Sequence, residues 1–312
     1  MELNGKLAVV TGGTRGVGAG IARAFAEAGA DVVICARRPP EAPLKGAEFL
    51  PVDVRDPDAV QALFDGLPRL DVLVNNAGGT PHRPLTGTDA RRHARVIDLN
   101  LTAPLTVSLA AHAHLRRSRG SIVMIGSVSG SRPSPGSAAY GAAKAGLEHL
   151  ARSMAVEWAP DIRVNTLVLG MVRTELSHLH YGDEHGVAAV ARTVPLGRLA
   201  DPSDVGGAAV FLASDAAAYI TGASLLLHGG GENPAFLAAA TPDRGGGTDP
   251  HAPRDPRGAT PDDDRPDDGS ADDGRPDDGS ADDGRPDDGS ADDGRPDGDS
   301  ADDSDRTRGG GR

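Results

Sequence analysis

The 312-residue sequence contains one cysteine, Cys35. A single thiol excludes an internal disulfide and agrees with a reducing cytoplasm. No apolar run approaches the roughly 20 residues a membrane-spanning helix needs. The chain reaches its first apolar run, at residues 7–10, without a charged and apolar leader. Charge of one sign is also missing from most of the chain. Residues 1–244 hold 23 basic and 23 acidic side chains, which gives no electrostatic argument for nucleic acid or an anionic membrane as partner. These absences predict a soluble, cytoplasmic protein.

The net charge of −13 lies entirely in residues 245–312, where 22 Asp face 9 Arg and apolar residues almost vanish. From Arg265 the unit R-P-D-D-G-S-A-D-D-G occurs three times in register, and a degenerate copy begins at Arg295. Asp pairs at period ten suggest calcium, but repeats that coil around calcium need a recurring apolar residue, and this unit offers only alanine. Such a composition cannot offset the entropy of ordering the chain. The expected organisation is therefore one domain over 1–244 and a disordered acidic tail over 245–312 that solubilises or spaces.

Within the first 244 residues, apolar runs alternate with helical patterns. A strand over 7–10 stops at T-G-G-T-R-G-V-G, Thr11 to Gly18. Val17, Ile21, Phe25 and Ala28 then recur at helical spacing up to Gly29. Glycines at 12, 16 and 18 let the backbone approach a pyrophosphate, and the helix N-terminus supplies unpaired N–H groups; the same turn also serves as a plain βα connection. A second strand covers 31–36. Pro39, Pro40 and Pro43 argue for a loop before a third strand over 47–52. Asp56 and Pro57 start a helix with Ala59, Val60, Leu63 and Phe64 on its buried face. A fourth strand over 70–74 ends in N-N-A-G, Asn75 to Gly78.

A long helix is predicted over 88–117, and in it Pro104 has no N–H for the Asn100 carbonyl, which is left free to hold a water. A fifth strand over 121–125 delivers Ser127 at its carboxyl end. Helices over 140–158 and 203–212 and strands over 162–168 and 224–227 complete an α/β, doubly wound parallel sheet of the Rossmann type. Tyr140 and Lys144 are four residues apart, so they share one helix face, where a cation favours the phenolate. The spacing alone also describes any helix with a surface tyrosine and lysine, so the pair acquires meaning only beside a cofactor site.

Taken together, the T-G-x-x-x-G-x-G turn, Asp53 with Val54, N-N-A-G, Asn100, Ser127, Tyr140 and Lys144 resemble the short-chain dehydrogenase/reductase family over roughly residues 1–240. The resemblance implies an NAD(P)-dependent oxidoreductase acting on a secondary alcohol or ketone. In it Tyr140 is the general acid/base, Ser127 orients the substrate oxygen, Lys144 lowers the Tyr140 pKa and holds the nicotinamide ribose, and Asn100 positions a proton-conducting water. It also implies that Gly12, Thr14, Arg15, Gly16, Val17, Gly18, Arg37, Asp53, Val54, Asn76, Ala77, Gly78, Gly170, Val172 and Thr174 line the cofactor. A homodimer or homotetramer is expected, with the Asn100 and Tyr140 helices packing across an interface.

The family usually has Pro-Gly after the sixth strand, and here Leu169 precedes Gly170, a change expected to loosen that loop. Between Thr174 and Pro195, His178, His180, Tyr181 and His185 occupy a segment expected to be a mobile substrate lid. Without a firm geometry and a carboxylate pair, those histidines are not expected to bind metal. The end of the second strand lacks a carboxylate. Ala36 stands there, followed by Arg37, and Arg15 lies in the glycine turn, so NADP(H) is expected in preference to NAD(H), unless both arginines are simply solvated. Oxoacyl-thioester reductases, hydroxysteroid dehydrogenases and ketone reductases would share these motifs. A non-catalytic cofactor-binding sensor, or an acidic scaffold working through its tail, is the alternative.

Overall fold

The computed structural model describes residues 2–235; the boundary expected at 244 and the acidic repeats lie outside them. Strands β1 (Leu7–Thr11), β2 (Asp31–Ala36) and β3 (Ala47–Pro51) build outward in one direction. The chain then returns to the other side of β1 with β4 (Val72–Asn75), and β5 (Ser121–Ser127), β6 (Arg163–Leu169) and β7 (Ser224–Leu227) continue from there. Every pairing is parallel. The direction of winding switches between β1 and β4, so their carboxyl ends flank the crevice in which such sheets bind ligands.

Strand alternation sorts the core onto two faces. Val9, Leu73, Ile122 and Met124 point to one side, beneath α2 (Pro57–Asp65), α4 (Ala103–Ser118) and α5 (Ala138–Glu157). Ala8, Val10, Val72, Val74 and Val123 point to the other, beneath α1 (Gly16–Glu27) and α8 (Pro202–Ala213). Burial on both faces explains why the strands read as continuous apolar runs. The loop expected between β2 and β3 is present, and Asp56 caps α2 by accepting the N–H groups of Asp58 and Ala59. Among the described residues no helix is long and apolar enough to cross a membrane.

The single helix expected over 88–117 is in fact two. Between α3 (Ala90–Ile97) and α4 lies a widened π turn, Asp98–Thr102, in which the Ala103 N–H reaches back five residues to the Asp98 carbonyl. Pro104 has no N–H and cannot continue a regular ladder, and the extra residue in the turn accommodates it. The expected lid segment carries two short helices, α6 (His178–Tyr181) and α7 (Glu184–Ala191).

Candidate active site

At the switch point, two loops are stitched together by their own polar groups. Thr11 Oγ1 accepts the N–H groups of Asn76 and Ala77, both at 3.0 Å, while Asn76 Nδ2 donates to the carbonyls of Thr11 and Gly12 at 2.8 and 3.1 Å. Sequence reading missed Thr11, and it assigned Asn76 to the cofactor, whereas its amide nitrogen holds the glycine turn. Gly12 has φ +65°, and a Cβ there would lie 2.9 Å from Ala77 Cα. A Cβ at Gly18 would run into the Gly12 carbonyl and the Asn76 amide. Both glycines are therefore required by backbone contact as well as by any ligand.

Helix α1, which opens from this turn, has no side-chain cap and no acidic residue in its first turn. Its N–H groups are thus left for an anion, unlike those of α2, and the turn fits the pyrophosphate of a dinucleotide. Thr14 and Val17 lie half-buried at its mouth, and Gly16 faces Thr174. At the far side of the crevice Val54 is buried, and the Asp53 carboxylate accepts Arg55 Nε at 3.0 Å and Nη2 at 2.6 Å. Hydrogen bonding to Arg55 holds that carboxyl below its usual range, and the charge of Arg37 adds to the effect. Arg55 was not foreseen, although an arginine two residues after the aspartate was the available signal. Arg15 and Arg37 are exposed and make no side-chain hydrogen bond or ion pair among the described residues.

Ser127 ends β5, and Tyr140 lies in the first turn of α5, with Lys144 one turn further along. Lys144 Nζ lies 5.5 Å from the Tyr140 ring centroid and donates to the Ile125 carbonyl at 2.6 Å. Asn100 is fully buried in the π turn. Its Nδ2 donates to the carbonyls of Gly79 and Val96, and its Oδ1 accepts the Gly79 N–H at 2.9 Å. A Cβ at Gly78 would lie 2.6 Å from Asn100 Oδ1, too close for any side chain, and at an ordinary 3.6 Å from Lys144 Nζ, so glycine lets the β4 loop pass Asn100. The structure thus brings Gly78, Asn100, Ser127, Tyr140 and Lys144 to one place beside the glycine turn.

The electrostatics differ from the expectation that Lys144 lowers the Tyr140 pKa. Burial pushes the phenol above its ordinary 10, and the Ser127 hydroxyl beside it only partly offsets this. Burial also holds the Lys144 ammonium down at about 8. Below pH 8 the folded protein carries a desolvated charge; as pH rises towards 10.5 the unfolded chain binds more protons and that penalty fades. The gap between the two pKa values corresponds to about 3 kcal/mol, less about 1 kcal/mol for the Ile125 hydrogen bond. Lys144→Met should therefore be the more stable protein at pH 7 by about 2 kcal/mol, and the two should become level near pH 10. Cys35, pushed up to about 12 by burial, and Tyr140 titrate with the opposite sign in both proteins, so the difference between them isolates Lys144. Urea unfolding at pH 7, 8.5 and 10 measures it, and a gap independent of pH would overturn the assignment.

Leu169, expected to loosen the loop, is instead a buried strand residue in register with Ser127 on one side and Leu227 on the other. Strand pairing fixes the backbone that a proline ring would otherwise fix. Gly170 follows, its N–H donating to Leu227, and a Cβ there would lie 2.7 Å from His228 Cβ. Val172 pairs with Ala200, and the Thr174 N–H donates to Ser177 Oγ at 2.8 Å. Arg132, in the loop between Ser127 and Tyr140, donates to Glu232 at 2.6 Å, and burial first, then the charge of Glu232, pushes the Tyr181 phenol of α6 above its ordinary range. Among the described residues, no three His, Cys, Asp or Glu side chains come together as a metal site.

A family model described as Enoyl-(Acyl carrier protein) reductase matches residues 12–232. The chain is 40% identical over 243 residues to the L-fucose dehydrogenase of Oryctolagus cuniculus, covering 73% of this chain and 85% of that one. It is 36% identical over 242 residues to the 3-oxoacyl-(acyl-carrier-protein) reductase FabG of Vibrio cholerae, covering 74% and 98%. Among solved structures, the RhlG/NADP active-site complex of Pseudomonas aeruginosa is similar with a TM-score of 0.68 at 31% identity, covering 73% of this chain and 97% of that one. The reversed winding of the sheet, the glycine turn at its switch point and these similarities agree: the chain belongs to the short-chain dehydrogenase/reductase family.

Proposed function

We propose that this chain is an NADP(H)-preferring oxidoreductase that interconverts a secondary alcohol and a ketone, with Tyr140 as the proton-transfer group. The observation that carries this reading is the convergence of Ser127, Tyr140 and Lys144 beside the uncapped start of α1. When bound, the dinucleotide supplies the two-electron donor or acceptor. Gly12, Gly16 and Gly18 with the first N–H groups of α1 hold its pyrophosphate. Asp53 and Val54 meet its adenine end, Ala77, Gly78, Gly170, Val172 and Thr174 border its nicotinamide end, and Lys144 holds the ribose between them.

Ser127 Oγ hydrogen-bonds the substrate oxygen and Tyr140 Oη gives it a proton or takes one. Burial keeps the phenol protonated at neutral pH, the form required to protonate a carbonyl oxygen. Asn100, tied to Gly79 and Val96, holds the β4 loop against Lys144 and positions the proton path.

The relatives named above act on different chemistries, a sugar and an acyl-thioester ketone. The test is a screen of secondary alcohols with NADP⁺ and NAD⁺, and of ketones with NADPH and NADH, followed at the nicotinamide absorbance. Turnover of at least one substrate is expected. Dinucleotide binding without turnover on any would replace this reading with the non-catalytic sensor.

A further inference from the structure

The stretch between Ser127 and Tyr140 holds serines that the proposed chemistry does not use, and Ser129, Ser134 and Ser137 are joined side chain to side chain. Ser134 Oγ donates to Ser129 Oγ at 3.2 Å and meets Ser137 Oγ at 2.6 Å. A hydroxyl has a single proton to give. Because Ser134 gives its proton to Ser129, Ser137 is the donor in the shorter contact, and donation runs from Ser137 through Ser134 to Ser129. Ser137 is the residue before α5, where a serine side chain ordinarily accepts an N–H of the first helical turn. Here it makes no such cap, so its hydroxyl serves Ser134 and not the helix.

Both ends of this row lie beside the reacting groups. At one end the Ser129 N–H donates to Ser127 Oγ at 3.2 Å, which leaves the Ser127 proton for Tyr140. At the other end the Ser137 carbonyl accepts the Gly141 N–H at 2.9 Å, in the helical turn that carries Tyr140. Between the ends the loop backbone rests on α5. A Cβ at Gly141 would lie 2.6 Å from the Ser129 carbonyl oxygen, and one at Gly130 would lie 2.8 Å from the Ala145 nitrogen. The loop after β4 holds the other side, through the Arg83 N–H donating to the Gly136 carbonyl at 2.6 Å.

From this arrangement, and resting on the oxidoreductase reading above, we infer that Ser134 is a positioning residue, whose hydroxyl fixes the Ser129 turn against the start of α5 and so sets Ser127 Oγ relative to Tyr140. The contact it protects is a weak one. At 3.2 Å the bond from the Ser129 N–H to Ser127 Oγ is at the long end of the N–H···O range, so a small shift of the turn removes it. Ser127 is then free to change rotamer and turn away from the substrate oxygen. Were the three hydroxyls only ordering a loop, each hydrogen bond would contribute about 1 kcal/mol to stability and nothing to turnover. The two roles differ in whether the effect passes through Ser127.

The full chain is assayed with L-fucose and NADP⁺ or NAD⁺, with acetoacetyl-CoA and NADPH or NADH, and, if neither is turned over, with the best substrate of the screen above. Ser134→Ala should lower kcat about tenfold through misorientation of Ser127, with KM and dinucleotide Kd within about twofold of wild type. Ser134→Thr keeps the hydroxyl and should retain most of the wild-type kcat. In a Ser127→Ala background Ser134→Ala should cost nothing further, because its effect passes through the hydroxyl already removed. An unchanged kcat in Ser134→Ala, the same loss with and without Ser127, or a loss that Ser134→Thr shares overturns the inference and leaves the oxidoreductase reading standing. No turnover by the wild type on any of these substrates overturns both.

Discussion

Tyr140→Phe is expected to fold and bind dinucleotide like the wild type, and to turn over roughly a hundredfold to ten-thousandfold more slowly, the contribution of a positioned general acid/base. The substitution removes one hydroxyl from a ring held by α5 and leaves the packing of that ring untouched. The buried hydroxyl hydrogen-bonds Ser127, so its loss should cost no more than about 1 kcal/mol of stability. Lys144 keeps its bond to the Ile125 carbonyl, so the ribose-binding ammonium stays in place. A dinucleotide Kd within about twofold of wild type, alongside a kcat loss of at least two orders of magnitude, identifies proton transfer as the missing step. Near wild-type turnover on a confirmed substrate would remove Tyr140 from the mechanism, whereas parallel loss of Kd and kcat would point to a binding role.

What was legible in the sequence is what is written locally. The strands read as apolar runs because both sheet faces are covered, and the glycine turn reads as four glycines within seven residues. Tyr140 and Lys144 are one helical turn apart. The features that sequence reading missed join distant positions. Thr11 stitches to Asn76 across 65 residues, and Arg132 meets Glu232 across 100. The split of the expected long helix was half legible: Pro104 announced a defect, but whether the chain kinks, ends or widens depends on how Asn100 is gripped by Gly79. The Tyr140 pKa was misjudged because spacing reveals a neighbouring cation and says nothing of burial, which here is the larger effect.

The second large effect concerns the adenosine end. Ala36 closes β2 opposite Pro51 of β3, at the place where a carboxylate would accept the ribose 2′-hydroxyl and repel a 2′-phosphate. Nearby, Asp53 is the acidic group that could oppose a phosphate, and Arg55 grips it through two side-chain hydrogen bonds. With that carboxylate taken up by Arg55, the guanidinium of Arg37 remains free to pair with an added phosphate, and Arg15 at the glycine turn makes no competing contact among the described residues. Each charge-assisted hydrogen bond is worth about 1.5 to 3 kcal/mol, roughly tenfold to a hundredfold in affinity. NADP(H) should accordingly exceed NAD(H) in kcat/KM by at least tenfold. Ala36→Asp combined with Arg37→Leu should reverse the order, since it withdraws one attraction and adds one repulsion, while kcat at saturating cofactor stays close to wild type because the change leaves Ser127, Tyr140 and Lys144 in place. The double variant also separates contact from context. If Arg55→Ala alone, which frees Asp53, lowers NADP(H) affinity more than NAD(H) affinity, the Asp53–Arg55 pair is part of the discrimination; equal loss assigns it to the adenine. Equal or better efficiency with NAD(H) in the native protein, or an unmoved ratio in the double variant, would show that the arginines at 15 and 37 are merely solvated.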